Sequence, residues 1–337
     1  MARLLSTFRA RPAFALACLI LAVLIVVALL APWIAPGDID AQDLGRRLKP
    51  PGWMDAEGNL FLAGTDNLGR DIAGRLVHGS RISLTVGVLA VLFGGGLGLT
   101  LGLLAGYYGG RLDAAIMRFT DMQLAFPFLL LALALVTILG PGVFNVILVL
   151  AITSWINYAK VIRGDVLQIR NREFIQAAVA LGLPSRRIIF RHVLPNVFPS
   201  FLVVASFQVA ALIIAESSLS FLGLGIPTSV PSWGSMLADG REYVTDAWWL
   251  SVFPGLAIML AALSFNILGD GLRDLMDPTQ RISRRRTPSR PVPARHPPAT
   301  EPGLVQPPLP APAPRPVQPQ EASLDLEASA RAGRLGG

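Results

Sequence analysis

Between Ser83 and Tyr107 the chain reads SLTVGVLAVLFGGGLGLTLGLLAGY, a stretch without a single charge. An α-helix rises about 1.5 Å per residue, so this run is long enough to cross a hydrocarbon core about 30 Å thick. Gly94, Gly98, Gly102 and Gly106 recur at every fourth position, which places all four on one helix face. In lipid, helices associate by van der Waals packing rather than by water exclusion, and a glycine face lets two backbones approach closely. The stretch therefore predicts a membrane helix packed tightly against a neighbour. It says nothing about chemistry.

Five more runs approach the same length: Ala13 to Trp33, Phe119 to Leu139, Val143 to Ile162, Val197 to Leu224 and Trp248 to Leu272. Asp121 and Gln123 interrupt the start of the Phe119 run. Pro127 is expected to kink that helix, and Pro254 to kink the last one near its start. Arg3, Arg9 and Arg11 precede the first run, as they would in a signal peptide. Its apolar part is longer than a signal peptide's, and Pro32-Trp33 is a poor cleavage context, so an uncleaved anchor is expected. Six crossings make this an all-α polytopic membrane protein. With the N-terminus inside, 22 of the 29 Lys and Arg residues fall in cytoplasmic segments, which is the arrangement that basic residues select. Both termini are then cytoplasmic. Residues 1–12 form a cytoplasmic N-terminus and 13–282 a transmembrane domain, within which 34–82 form an extracytoplasmic loop and 163–196 a cytoplasmic one.

Composition agrees. Of 337 residues, 53% are hydrophobic and only 15% charged, with a mean hydropathy of +0.54. A soluble domain carries about 25% charged residues. The net charge of +7 would suggest nucleic acid as a partner if it were gathered on one face. It is instead divided between the two sides of the membrane and a Pro-, Ala- and Arg-rich tail, residues 283–337. That tail holds eight arginines and four acids, has few large apolar residues, and is expected to be disordered. No nucleic-acid partner is expected.

Catalysis finds no foothold. His78 and His192 are read as loop residues, and His296 lies in the tail, so no nucleophile–His pair forms within the membrane. The only lysines are Lys49 and Lys160, neither preceded by glycine, so there is no Gly-Lys of a nucleotide-binding loop. If ATP powers this chain, another subunit binds it. Cys18 alone excludes an intrachain disulfide and a thiolate metal cage. No metal site is expected. Asn157 and Lys160 close the fourth helix, the lysine reaching to the interface.

Two places stand out. Glu216 is the one carboxyl well inside an apolar run, followed by Ser217, Ser218 and Ser220. A carboxyl in hydrocarbon faces a bundle interior or a wet cavity. Glu216 lies about 29 Å along the helix from Val197, near its outer end. Two readings stay open: Glu216, Ser217 and Ser220 hydrogen-bond between helices, or they line or gate a pathway. The second place is the segment from Arg163 to Asn196. Glu173 to Leu181 reads as a short helix rich in alanine, Gly182 is placed to stop it, and Pro184 prevents its continuation. Ser185 to Val193 can form a second short helix, with Pro195 opening the fifth membrane helix. Such punctuation describes a compact knob that a soluble partner could grip.

Gln176-Ala177-Ala178, then Gly182, then Leu194-Pro195 resembles the EAA loop of bacterial ABC importer permeases. Three further stretches resemble the dipeptide/oligopeptide group of that family and its C-type subunit. They are Gly64 to Asp71 with Gly79 to Leu84, Arg191 to Asn196 with Glu216 to Gly225, and Gly269 to Pro278. The resemblance covers about residues 10 to 280 and implies a type I importer permease fold in a bacterial cytoplasmic membrane. It further implies that Gln176, Ala177, Ala178, Gly182, Leu183, Pro184, Ser185, Arg186, Leu194 and Pro195 dock on an ATP-binding subunit. Gln176 stands where the family often has Glu and lacks its charge. The implied assembly is a heterodimer of two permeases, two ATPases carrying ATP and Mg, and an extracytoplasmic substrate-binding protein. The implied cargo is a peptide, and the implied mechanism alternating access. Nickel or another small solute is the alternative within the family. A secondary transporter would require mid-membrane carboxylates or inverted repeats, and neither is present.

Overall fold

The computed structural model describes residues 12–276. The expected disorder of 283–337 and the placement of the two termini fall outside them. Helix α1 spans Pro12–Ile34. A segment follows that holds a two-strand hairpin, β1 Trp53–Met54 paired antiparallel with β2 Leu60–Phe61. The next helices are α2 (Ile72–Tyr108), α3 (Gly110–Leu124), α4 (Phe128–Leu139) and α5 (Val143–Arg170). Then come α6 (Glu173–Ala180), α7 (Ser185–Ile188), α8 (Leu194–Phe221), α9 (Trp233–Gly240) and α10 (Trp249–Met276). Among the described residues five helical spans are long and apolar enough to cross a membrane, or six when α3 and α4 count as one broken span.

The boundaries differ from the sequence expectation in instructive ways. Helix α2 begins at Ile72, not Ser83, because the Asp71 side chain accepts hydrogen bonds from the backbone N–H groups of Ala73 and Gly74 and caps it. Residues 72–82 and His78 are thus helical rather than loop. The Phe119–Leu139 run is not one kinked helix. Its two halves meet at 89° across Ala125 to Pro127, since Pro127 has no N–H to continue α3 and disfavours helical geometry in Phe126. Pro254, by contrast, lies inside an unbroken α10. Helix α5 runs on to Arg170, so the loop after it is shorter than 163–196. Pro195 does not open a new helix either: α7 continues through a π-helical turn, Ile189–Val193, into α8, and the whole forms one 37-residue rod. His192 therefore lies in a helical turn.

Helices α2, α5 and α8 form the centre. Val86, Ala90, Val146, Val149, Leu150, Tyr158, Leu212, Ile213 and Leu219 are buried between them. The glycine face of α2 lies directly on α5. A Cβ at Gly94 would sit 2.5 Å from the Ser154 hydroxyl, one at Gly102 2.7 Å from the Ala159 carbonyl, and one at Gly106 2.7 Å from Val166 Cβ. At Gly98 it would overlap the Trp155 carbonyl. The four-residue repeat thus lets two helices approach at backbone distance.

Candidate functional site

At one end of the bundle α6 and α7 form a knob. Ile175 and Ala178 turn inward onto Ile162, Val166, Ile169, Ile188 and Val193, and Leu183 and Leu194 pack against the same cluster. The helix stops after Ala180 because Gly182 takes φ +72°, a left-handed conformation open to glycine and strained for other residues. Two hydrogen bonds close that stop, Gly182 N to the Val179 carbonyl at 2.9 Å and Leu183 N to the Ala178 carbonyl at 3.2 Å, the two bonds of a Schellman cap. Gln176, Ala177, Gly182, Pro184, Ser185, Arg186 and Pro195 are exposed, so the expected coupling residues divide into an inward set and an outward set. The Gln176 side chain donates to the Asn171 carbonyl at 3.3 Å. Four exposed apolar side chains join the outward set: Phe174, Val179, Leu181 and Phe190. The signal for Phe174 and Val179 was available, since an eight-residue helix that buries Ile175 and Ala178 turns the apolar residues flanking them outward, whereas Leu181 and Phe190 lie beyond that helix.

Helix α5, on which the knob rests, is tied to α3. The Arg163 guanidinium meets Asp113 with two bonds of 2.5 and 2.7 Å, and Lys160 Nζ lies 3.1 Å from Asp121. Further along, Trp155 Nε1 donates to Gln123 Oε1 at 3.0 Å, and Gln123 Nε2 donates to the Ile152 carbonyl at 3.0 Å. Asp121 and Gln123, which look like interruptions of an apolar run, are the rungs that hold α3 to α5. Lys160 is paired with a carboxylate, that of Asp121.

At the other end, residues 35–71 and α9 form a cap. Glu216 is 0% exposed and lies where α8 meets the cap. Its Oε1 accepts from Ser220 Oγ at 2.9 Å and Ser232 Oγ at 3.1 Å. Ser217 and Ser83 hydroxyls lie 3.4 and 3.5 Å from Oε2. Glu216, Ser217 and Ser220 are thus brought together as one cluster, and Ser83 and Ser232 complete it from other elements. Beside it, Arg70 bonds to Asp66 at 2.6 Å and to Asp239 at 3.2 Å. Arg75, 1% exposed, reaches Asp40 at 2.6 Å and the Thr228 carbonyl at 3.0 Å. Burial pushes the Asp239 carboxyl above the ordinary carboxylate range, against the opposing pull of Arg70. Trp249 Nε1 closes the cap by donating to the Thr65 carbonyl at 3.2 Å.

Comparison with known proteins supplies the context. Residues 98–282 match the family described as the binding-protein-dependent transport system inner membrane component, and residues 1–51 match the N-terminal transmembrane domain of oligopeptide transport permease C. The chain is 43% identical over 260 residues to the di/tripeptide transport system permease protein DppC of Pseudomonas aeruginosa, covering 77% of this chain and 86% of that one. It is 43% identical over 256 residues to the dipeptide transport system permease protein DppC of Escherichia coli, covering 76% and 85%. With the probable D,D-dipeptide transport system permease protein DdpC of Escherichia coli the identity is 39% over 277 residues, covering 82% and 91%. Among solved structures, the inward-facing MetNI methionine ABC transporter shares the fold at a TM-score of 0.52 and 18% identity, over 61% of this chain and 98% of that one.

Proposed function

The chain belongs to the binding-protein-dependent inner-membrane permeases, as a C-type member of their dipeptide/oligopeptide group, and from that premise we propose that it carries small peptides inward as one half of a permease pair. It is a multi-pass inner-membrane component of an ABC importer. In this reading a second permease completes the pathway and two ATP-binding subunits seat on the knob. A substrate-binding protein meets the cap from outside, and both termini face the cytoplasm. ATP and Mg belong to the partner subunits, and this chain performs no catalytic step of its own. The knob is the observation that carries the coupling role. Its core-facing residues fix α6 on α5, while Phe174, Val179, Leu181 and Phe190 leave an apolar outer surface that water alone would not favour. Closing of the ATPase pair would draw the knobs of the two permeases together and open the pathway on the far side, where the binding protein releases its cargo. The cargo assignment rests on the dipeptide and di/tripeptide systems named for its relatives.

The test is transport by the assembled complex in proteoliposomes. ATP inside the vesicles is expected to drive export-free uptake of a radiolabelled dipeptide delivered by the binding protein, with no uptake when the ATPase subunits are omitted. Uptake by this chain alone would refute the importer reading. ATP-dependent uptake of nickel in place of peptide would replace the cargo and keep the class.

A further inference from the structure

The π turn joins α7 to α8 without a break, so one rod of 37 residues, about 55 Å long, runs from Ser185 in the knob to Phe221 at the cap. Glu216 sits close to the far end of that rod, and its bonds form more than a simple cluster. Ser220 Oγ, which donates to Glu216, accepts from Ile226 N at 3.0 Å. Ser232 Oγ, which donates to the same oxygen, accepts from Ser235 N at 3.0 Å. Ser83 Oγ, beside the other oxygen, accepts from Trp233 N at 3.1 Å. Each of these hydroxyls is a bridge from one carboxyl group to a backbone N–H of the segment that leads into and begins α9. The space around the bridges is closed: a Cβ at Gly234 would lie 2.6 Å from Ser217 Cα and 3.1 Å from Glu216 Oε1.

The structure assigns Glu216 as a positioning residue. We propose that it fastens α9 and the chain from Ile226 to Ser235 onto α8 and α2, so that a displacement of the knob arrives at the cap as a rigid-body movement. This rests on the coupling role proposed for the knob. It adds the element at the opposite end of α8 that receives the movement. Arg70 holds the C-terminal end of α9 through Asp239, and Arg241 just beyond it donates to the Phe221 carbonyl at the tip of α8 at 3.2 Å. The short helix is thus fixed at both ends, and the Glu216 cluster is the buried attachment of its N-terminal end to the rod.

The experiment uses the complex in proteoliposomes, with spin labels at exposed Ile214 on α8 and exposed Ser229 in the segment that leads into α9. The unaltered pair is expected to give one narrow distance that ATP leaves unchanged. Glu216→Ala is expected to broaden it and to lower the stimulation of ATPase activity by loaded binding protein about tenfold, the scale of one or two buried hydrogen bonds, with basal hydrolysis retained. Glu216→Gln keeps an oxygen for Ser220 and Ser232 and is expected to restore the narrow distance. Ser232→Ala removes only the α9 bridge and is expected to broaden it. A purely structural residue would lower basal and stimulated hydrolysis together. A narrow distance and full stimulation in Glu216→Ala would overturn the proposal. If that variant does not assemble, unchanged distance and stimulation in Ser232→Ala overturn it instead. A complex that imports no peptide but still shows the broadening would remove the cargo reading and leave the clamp standing.

Discussion

The two ends of the bundle are built on opposite principles. The cap holds Arg70, Arg75 and Glu216 nearly out of reach of solvent, each surrounded by partners from distant parts of the chain. The knob leaves its apolar side chains outside, Leu181 at 81% exposure, and its main side-chain hydrogen bond on α6 is a long one from Gln176. Buried charge is tolerated only where geometry satisfies it, so the cap is self-supporting and intolerant of change. Exposed apolar surface is tolerated where another surface covers it, so the knob is incomplete by itself. One end is finished within the chain, and the other is finished by assembly.

The sharpest way to break that contrast is at Arg70. Arg70→Met strands Asp66 and Asp239 in a buried site and is expected to destabilise the cap by about 3–5 kcal/mol, measured as a fall in thermal unfolding temperature in detergent. Next comes the strut that joins the two ends. Gly98→Val drives a side chain into the Trp155 carbonyl and is expected to cost about 1–3 kcal/mol or more, whereas Gly96→Ala, which meets nothing within 4 Å, is expected to leave unfolding unchanged. At the knob, Gly182→Ala finds open space but an unfavourable backbone, for an expected loss of about 1 kcal/mol. The knob's role predicts that this small loss is accompanied by a much larger drop in binding-protein-stimulated ATPase activity, and equal drops in both would blur the comparison. Lys160→Ala breaks a largely exposed pair and is expected to change stability by less than about 1 kcal/mol.

The smallest effect is a pH response in the hairpin. Asn59 donates from its side chain to Asp55 at 2.9 Å, and its backbone N–H and that of Glu57 reach the same carboxyl, which together hold it below the ordinary carboxylate range. A lowered carboxyl stabilises the fold above its unfolded pKa, and that contribution is lost as pH falls through the folded value. The protection of amides across residues 53–61, measured against the intrinsic exchange rate at each pH, is expected to fall on acidification through the lowered Asp55 value and to respond less in Asn59→Ala.

What the sequence disclosed follows from range. The apolar runs and the glycine repeat are local patterns, and the helices lie where those patterns are. The stop at Gly182 is also local, since a turn of helix and one left-handed residue decide it. The start of α2 was hidden because His78, Arg75 and Arg81 make 72–82 look like loop, although Arg75 is matched by Asp40, far away in the chain. Pro127 announced a disturbance without its size, which depends on the rungs that Asp121 and Gln123 make to α5. At Glu216 the pattern showed the carboxyl and its two neighbouring serines. Ser83 and Ser232 come from other elements, and no spacing rule points to them.

Helix α1 carries a last consequence. Phe14, Ala17, Leu21, Ala28 and Ala31 form its only buried stripe, at alternating steps near 3.5 residues, and the rest of it is largely open. The Phe14 ring occupies the space that a side chain at Gly271 would take, so α1 is seated against α10 as well as α2. The ribosome makes these two helices at opposite ends of the described chain. During synthesis α1 must therefore wait in the lipid, half of its berth still unmade, until α10 emerges and the ring of helices can close.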